Sequence, residues 1–493
     1  MTPTPLAAQA RSALGPEPLR LRLYLGGASE DTREHLPLVS PVTGELVAEV
    51  PVPEREHIAR AVRMARHAQG EWAEVGAFQR AEVCHRIGDA LLGRRDDLAR
   101  LQTLEQGKPL AESVADIEEA AQLFHLHAED AVRLNGETLP VRDPHKRMVT
   151  FRRPVGTWAI ITPWNFPVLM MAEFTAPGLA TGNALVVKPP AHTCAAVLAA
   201  TRAFEEAGLP PGLVSVLPGA GPVGEMMLQE PGFDAIGFIG SSVTGARIQA
   251  LAGLRRTIME CSGNGPIVVC ADADVERAAR AAVYGAYMCS GQVCCATERA
   301  LVHRQVHRDF LEACAAEAQK VRLGDPFDPQ VNLGPLNNSG VAAKMDRHIH
   351  DGRQQGARVV TGGERRSGMP TDLYYEFTIM DQVTPGMAAF QEESFGPLLP
   401  VTVAADDAEL LGLANQDDLG LQAAVFTRDL ARAFHFAEHL QVGQVVVNDT
   451  TDYWDINMPF GGAGGKHSGW GRIGGKWTLM DMSDVRTAIL DLS

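Results

Sequence analysis

The sequence has no pair of cysteines at C-x-x-C spacing, no apolar stretch near the roughly 18 residues of a membrane helix, and no basic run longer than pairs such as Arg255-Arg256. Each absence excludes a class of function. Without C-x-x-C there is no zinc ribbon and no thioredoxin-type redox pair, and no metal site is expected. Basic residues are also outnumbered: 44 Lys and Arg stand against 60 Asp and Glu, a formal charge of −16. That balance argues against nucleic acid or an anionic membrane as partner. The start of the chain carries Pro3, Pro5 and scattered Arg but no apolar signal core, so a cytoplasmic protein is expected.

What is present is ordinary for a soluble globular chain. At about 150 residues per domain, 493 residues make roughly three lobes, enough to bury large cores without staples. Of the eight cysteines, Cys261, Cys270, Cys289, Cys294, Cys295 and Cys314 crowd into one stretch where a disulfide ladder would be sterically awkward; Cys84 and Cys194 stand apart. Free thiols are expected, most of them buried as small apolar side chains.

Residues 1–19 read as a loose lead-in. From Glu54 to about Val132 the pattern is helical. Then short apolar runs alternate with helical segments: Trp158–Ile161, Ala184–Val187, Leu213–Leu217 and Ala235–Ile239. This is the pattern of a doubly wound parallel sheet with helices on both faces. A second series starts at Pro266–Cys270 and includes Arg299–Val302, Gln422–Phe426 and Gln444–Val447, which places a boundary near residue 265. Met480 to Leu492 reads as a late strand that pairs with something else, such as a partner subunit.

Ligands of such sheets bind beyond the carboxyl ends of the strands. Gly219 to Gly224 fits G-x-G-x-x-G, a weak dinucleotide signal in so glycine-rich a chain; a plain strand-to-helix turn is the competing reading. At Phe238-Ile239-Gly240-Ser241, a helix beginning near Ser242 would aim free N–H groups at an anion, or Ser241 would simply cap it. Cys294, in Gly291-Gln292-Val293-Cys294-Cys295, lies in an accessible loop suited to a nucleophile, and a strain-free disulfide with Cys295 is excluded. Glu260 ends an apolar strand, where burial would make it a general base; a solvated loop carboxylate is the alternative.

Taken in order, the motifs resemble the aldehyde dehydrogenase family across nearly the whole chain. They are Pro163-Trp164-Asn165-Phe166-Pro167, Pro177 to Asn183, Lys188-Pro189, Phe238 to Ser241, Glu260 to Pro266, Gly291 to Cys294, Glu392 to Pro397 and Pro459 to Gly462. The resemblance implies an α/β fold with two doubly wound parallel-sheet domains and a small β oligomerisation arm. The cofactor-binding domain would comprise residues 1–145 and 158–265, the catalytic domain 266–477, and the arm 146–157 with 478–493. It implies oxidation of a small-molecule aldehyde to its carboxylic acid with NAD or NADP, in a homodimer or homotetramer. By the same resemblance Cys294 is the nucleophile, Asn165 and the Cys294 N–H stabilise the oxyanion, and Glu260 activates water. Trp164, Lys188, Ser241, Glu393 and Phe395 would contact the cofactor, and Cys295 would pack.

Several positions depart from the family pattern. Ala191 replaces the usual ribose-binding Glu, so NADP is not excluded. Phe174 stands where a Lys near the active site is common in the family, Cys289 replaces an Asn, and Ser262 and Asn264 alter the loop after Glu260. Two rivals follow: a non-catalytic member, and a CoA-acylating one, which usually lacks the base that Glu260 supplies.

Overall fold

A computed structural model describes residues 6–9 and 17–493, so most of the expected lead-in at 1–19 lies outside the described residues. The runs read as strands are strands, each short and apolar; all but the edge run Gln444–Val447 are buried on both faces, as the interior of a parallel sheet requires. Arg256–Glu260, Ala235–Ile239, Thr157–Ile161, Ala184–Lys188 and Val214–Val216 form, in that order, the parallel centre of an eight-stranded sheet. Antiparallel strands flank it: Gly469–Trp470 on one edge, and Leu23–Leu25 followed by Ala28–Glu30 on the other. The second sheet has seven strands in the order Arg358–Thr361, Thr378–Asp381, Leu398–Ala404, Arg299–His303, Pro266–Val269, Gln422–Phe426 and Gln444–Val447; all neighbours are parallel except the first pair. The chain passes from the first sheet to the second between residues 260 and 266. It returns much later, when Gly469 pairs with Glu260.

The helical stretch before the first sheet resolves into Arg55–Trp72, Ala77–Gly93, Arg95–Gln106 and Leu110–Ala131. The helix Pro167–Thr181 follows the Trp164-Asn165 segment. Pro167 starts it, where a missing N–H costs nothing, and Gly182 stops it in the left-handed conformation at φ 95°. Nearly every residue of that helix is buried, so it fixes the Trp164-Asn165 segment against the core.

The late strand spans Ser483–Asp491 and pairs antiparallel with Lys146–Pro154 along its whole length, from Ser483 opposite Pro154 to Asp491 opposite Lys146. Thr138–Leu139 completes this three-stranded sheet. This sheet is therefore closed by strands more than 300 positions apart in sequence. No described helix is long and apolar enough to cross a membrane.

One buried side chain ties these parts together. Asn183 Oδ1 accepts from Gly156 N at 2.8 Å and Trp158 Nε1 at 3.2 Å, and its Nδ2 donates to Thr181 Oγ1 at 2.7 Å and Met482 O at 2.9 Å. Replacing it by Ala strands several buried polar groups, each worth about 1–3 kcal/mol when unsatisfied. Asn183→Ala is expected to lose about 3 kcal/mol, read as a lower midpoint in urea unfolding. An unchanged midpoint would show that water replaces the amide at no cost.

Candidate active site

The helix Val275–Tyr287 is capped by Asp274, whose carboxylate accepts from Arg277 N at 3.1 Å, and it buries an alanine-rich face. After Tyr287 the backbone reverses hand: Cys289 (φ 51°), Ser290 (φ 58°) and Gly291 (φ 72°) are successive left-handed residues. Only the last is a glycine, so the turn is held by contacts. Glu112 Oε2 accepts from Cys289 N at 3.0 Å, Ser290 Oγ donates to Gly334 O at 2.9 Å, and Gln292 Nε2 donates to Cys289 O at 2.9 Å. The turn delivers Cys294 to a cleft of about 830 Å³, whose lining also includes Glu260 and Asn165. Cys294 is the one cysteine of the eight that is not buried.

Glu260 ends its strand buried, and one of its oxygens has no hydrogen-bond partner. Burial pushes its carboxyl up to about 8; the Cys294 thiol opposes the shift and the Glu393 charge adds to it. The Cys294 thiol is itself raised well above the usual thiol range, first by its hydrogen bond with Cys295, then by burial and by Glu260. The loop after Glu260 approaches closely because residue 263 is glycine: a Cβ there would lie 2.0 Å from the Cys294 carbonyl oxygen. Asn165 donates from Nδ2 to Gln292 O at 2.9 Å, which leaves its second amide hydrogen for the cleft. Nucleophile, carboxyl and amide donor thus converge from three separate segments.

The opposite half of the cleft holds the other expected residues. Ser241 caps the helix Ser242–Ala252, accepting from Thr244 N at 3.3 Å, and also lines the cleft. Both readings of this junction are therefore compatible. Lys188 is buried and donates from Nζ to Gly219 O at 2.7 Å; burial brings its pKa down to about 8. Gly219 to Gly224 form the turn into a short helix, Gly221–Gln229, with Pro222 in its first turn. Trp164 and Phe395 meet edge to face with centroids 5.4 Å apart. Phe395 is itself left-handed (φ 55°), held by Glu298, whose two oxygens accept from Ser394 N and Phe395 N at 2.8 Å each. Glu393 accepts from Gly263 N at 3.1 Å, and Lys344 donates to its carbonyl at 3.0 Å. A helix N-terminus, a carboxylate and two rings suit a ligand with anionic, hydroxyl-bearing and flat-ring parts.

The departures sort by position. Phe174 is fully buried against Gly237 and does not line the cleft. Asn264 donates to Phe390 O at 3.0 Å and to Asp417, which anchors the loop. Ser262 lines the cleft and bonds to Glu393. Cys289 is buried in the left-handed turn, with Gln106 Nε2 3.5 Å from its sulfur. At the outer mouth Tyr284 joins Tyr453 and Trp454. Sequence reasoning missed Glu112, Asp116, Glu119 and Asp452, which line the same mouth. Among the described residues no group of three or more His, Cys, Asp or Glu is placed to hold a metal ion.

It also missed Glu173, the single charged residue of the apolar helix Pro167–Thr181; that isolation was the available signal. It is fully buried and neither oxygen makes a well-aligned hydrogen bond. Burial raises it to about 8, with further increments from Glu260 and Glu119 and a smaller opposing one from the Gly474 N–H. Between the ordinary glutamate range and about pH 8 the folded chain keeps this proton while the unfolded chain loses it. The unfolded state then binds fewer protons, so this group's contribution falls as pH rises across that window. The melting temperature of Glu173→Gln is expected to gain on wild type as pH goes from about 5 to about 8. Parallel curves would mean that Glu173 ionises freely.

A family model described as the aldehyde dehydrogenase family matches residues 28–488. The glutarate-semialdehyde dehydrogenase of Pseudomonas aeruginosa is 35% identical over 472 residues, covering 95% of this chain and 97% of that protein. An NADP+ succinate-semialdehyde dehydrogenase of Escherichia coli is 34% identical, covering 93% and 95%. The crystal structure of betaine aldehyde dehydrogenase from Staphylococcus aureus in complex with NAD+ superposes with a TM-score of 0.94 at 31% identity, covering 99% of this chain and 98% of that one.

Proposed function

The chain belongs to the aldehyde dehydrogenase family and is an NAD(P)-dependent enzyme that oxidises an aldehyde to its carboxylic acid, and on that premise we propose that Cys294, Glu260 and Asn165 carry the reaction. The observation behind this reading is their convergence in one cleft, with Cys294 the single accessible thiol. Cys294 Sγ bonds to the aldehyde carbon as its proton passes to solvent in the cleft, and the carbonyl π bond becomes the C–O⁻ of the thiohemiacetal. The second Asn165 amide hydrogen and the Cys294 N–H stabilise the charge that develops on the carbonyl oxygen. When bound, NAD(P) supplies the nicotinamide ring that accepts the hydride, which converts the thiohemiacetal into a thioester on Cys294. Glu260 takes a proton from water, the water oxygen bonds to the thioester carbon, and the C–S bond breaks to release the acid and the thiol.

The cofactor lies, on this reading, across Lys188, Ser241, Trp164, Glu393 and Phe395. The Ser242–Ala252 N-terminus faces its phosphates and Glu393 its ribose hydroxyls. Residues 1–145 with 158–265 form the cofactor domain, 266–477 the catalytic domain except for the strand Gly469–Trp470, which joins the cofactor-domain sheet, and 146–157 with 478–493 the arm. The arm makes a homo-oligomer: the outer edge of Ser483–Asp491 is unpaired among the described residues, and Val485, Ile489 and Leu490 are exposed along it. Such an edge is satisfied by a second copy.

The catalytic assignment is tested by three variants. Cys294→Ala should abolish turnover, whereas Cys295→Ala should retain much of it. Wild-type kcat should rise as pH passes through about 8, because the working form of Glu260 in thioester hydrolysis is the carboxylate. Glu260→Gln should lose that rise, slow steady-state turnover by roughly 10²–10⁴-fold and keep a single-turnover burst of reduced cofactor. Equal loss in both cysteine variants, or an unaltered pH profile in Glu260→Gln, would overturn the roles.

Position 191 bears on cofactor choice. A carboxylate there would bond the 2′-hydroxyl of NAD and repel the 2′-phosphate of NADP. Ala191→Glu should shift the kcat/KM ratio toward NAD by about tenfold, and no shift would show that residue 191 does not face the ribose. The relatives do not fix the substrate's charge, since glutarate and succinate semialdehydes carry a carboxylate and betaine aldehyde a quaternary ammonium.

A further inference from the structure

The two walls of the cleft differ in charge. The described cations that line it are Lys188 and Lys344, both on the wall assigned to the cofactor, and each donates to a backbone carbonyl there. The outer wall carries carboxyls. Glu112, Asp116 and Glu119 lie at i, i+4 and i+7 of the helix Leu110–Ala131, so they share one face over about 10 Å of helix. Asp452 joins them from the loop after the strand Gln444–Val447.

Little within the protein neutralises that wall. Asp116 is paired with Lys108 at 2.6 Å, and this lysine is fully buried beneath the Phe166 ring, 3.7 Å from its centroid. Lys108 therefore compensates one carboxylate and offers nothing to a ligand in the cleft. Glu112 accepts from Cys289 N, and Asp452 from the Thr450 hydroxyl. These are neutral donors. The consequence appears in their protonation: burial, partly offset by Lys108 and joined by Asp116, pushes Glu112 up to about 8. Burial and Asp116 push Glu119 up to about 7, and burial brings Asp452 up to about 6. A cation placed among them would remove the penalty for ionisation.

A second observation points the same way. The mouth is walled by the rings of Tyr284, Tyr453 and Trp454, with Tyr284 and Tyr453 about half exposed. Aromatic faces beside carboxylates suit an alkylammonium or quaternary ammonium group, and they give an anion no donor. An ω-carboxylate on the aldehyde would meet Glu112, Glu119 and Asp452 with no free cation opposite.

We propose that the substrate is an aldehyde bearing an aliphatic ammonium or quaternary ammonium group at the end away from its carbonyl, with Glu112, Glu119 and Asp452 as the residues that set this preference. The inference rests on Cys294 as nucleophile, since that fixes which end of the cleft the tail occupies.

The test is kcat/KM with four aldehydes: 3-aminopropanal, 4-(trimethylammonio)butanal, its uncharged isostere 5,5-dimethylhexanal, and 4-oxobutanoate. The two cations should exceed the isostere by at least about tenfold and 4-oxobutanoate by more. Glu119→Gln and Asp452→Asn should each lower the ratio of trimethylammonio substrate to isostere by several-fold to tenfold, and added salt should lower it too. Preference for only one of the two cations would assign the tail as primary amine or quaternary ammonium within the same proposal. Equal use of cation and isostere, preference for 4-oxobutanoate, or variants that leave the ratio alone would overturn the charge preference while leaving the dehydrogenase reading intact. No turnover of any of the four would overturn the charge preference too, while the Cys294 and Glu260 variants above test the dehydrogenase roles separately.

Discussion

The left-handed turn at Cys289, Ser290 and Gly291 is the constraint on which the catalytic geometry depends. For a residue with a side chain this backbone costs roughly 1–2 kcal/mol, and two of the three pay it. The turn persists because its surroundings over-determine it. Gln292 bridges it, donating to Cys289 O and accepting from Asn337 N at 2.8 Å. Asn337 in turn donates from its side chain to Glu105 O and Gln106 O, at the end of the helix Arg95–Gln106. Asn165 holds the Gln292 carbonyl from the other side. A helix that simply continued past Tyr287 would carry Cys294 away from Glu260. Asparagine tolerates this backbone better than most residues, so Cys289 leaves the turn more dependent on Gln292 and Glu112.

This arrangement explains how residues far apart in sequence behave as one site. Asn165 both binds the nucleophile loop and presents an amide hydrogen to the cleft. Gly263 lets the loop after Glu260 touch the Cys294 carbonyl, and Gly263 N donates to Glu393, which carries the restraint across to the other half. Glu298 locks Phe395 by two backbone bonds. The packing of Pro167–Thr181 and the Asn183 network fix the Trp164–Asn165 segment to the first sheet. Displacing any one of these contacts moves the nucleophile relative to its partners, which is the quantity that proximity effects depend on.

The sheets were legible because a strand buried on both faces must be short and apolar, and such runs stand out between amphipathic helices. Cys294, Glu260 and Asn165 were legible because each sits at an element end inside a short motif. Three kinds of feature were not. The return of Gly469–Trp470 to the first sheet crosses the expected boundary, and two residues carry no periodicity. The positive φ of Cys289 and Ser290 is imposed by tertiary bonds, not by local preference. The acidic mouth is split between one helix face and a loop some 330 residues later, and in sequence Glu112, Asp116 and Glu119 look like an ordinary solvated stripe. Phe174 shows the opposite case: a position flagged at the site proves to be core, while its neighbour Glu173 was passed over.

The burial that makes Glu260 a base also constrains the cycle. In the resting cleft burial holds both groups up; the Glu260 carboxyl raises the Cys294 thiol further, while the thiol's hydrogen bond only partly offsets the shift at Glu260, so at neutral pH the favoured state carries protons on both. A resting thiol is a poor nucleophile and equally a poor target for oxidation. Activation therefore has to come from what enters. The carboxyl-lined mouth and the nearby Glu173 add negative potential whenever they ionise, which raises both groups further. A positively charged substrate tail would act in the opposite sense, offsetting the mouth carboxylates and easing loss of the proton from Cys294 as the carbonyl arrives. Charge at the mouth and reactivity at the sulfur are then coupled through the same low-dielectric cleft, so selection of the substrate and activation of the nucleophile draw on one electrostatic field.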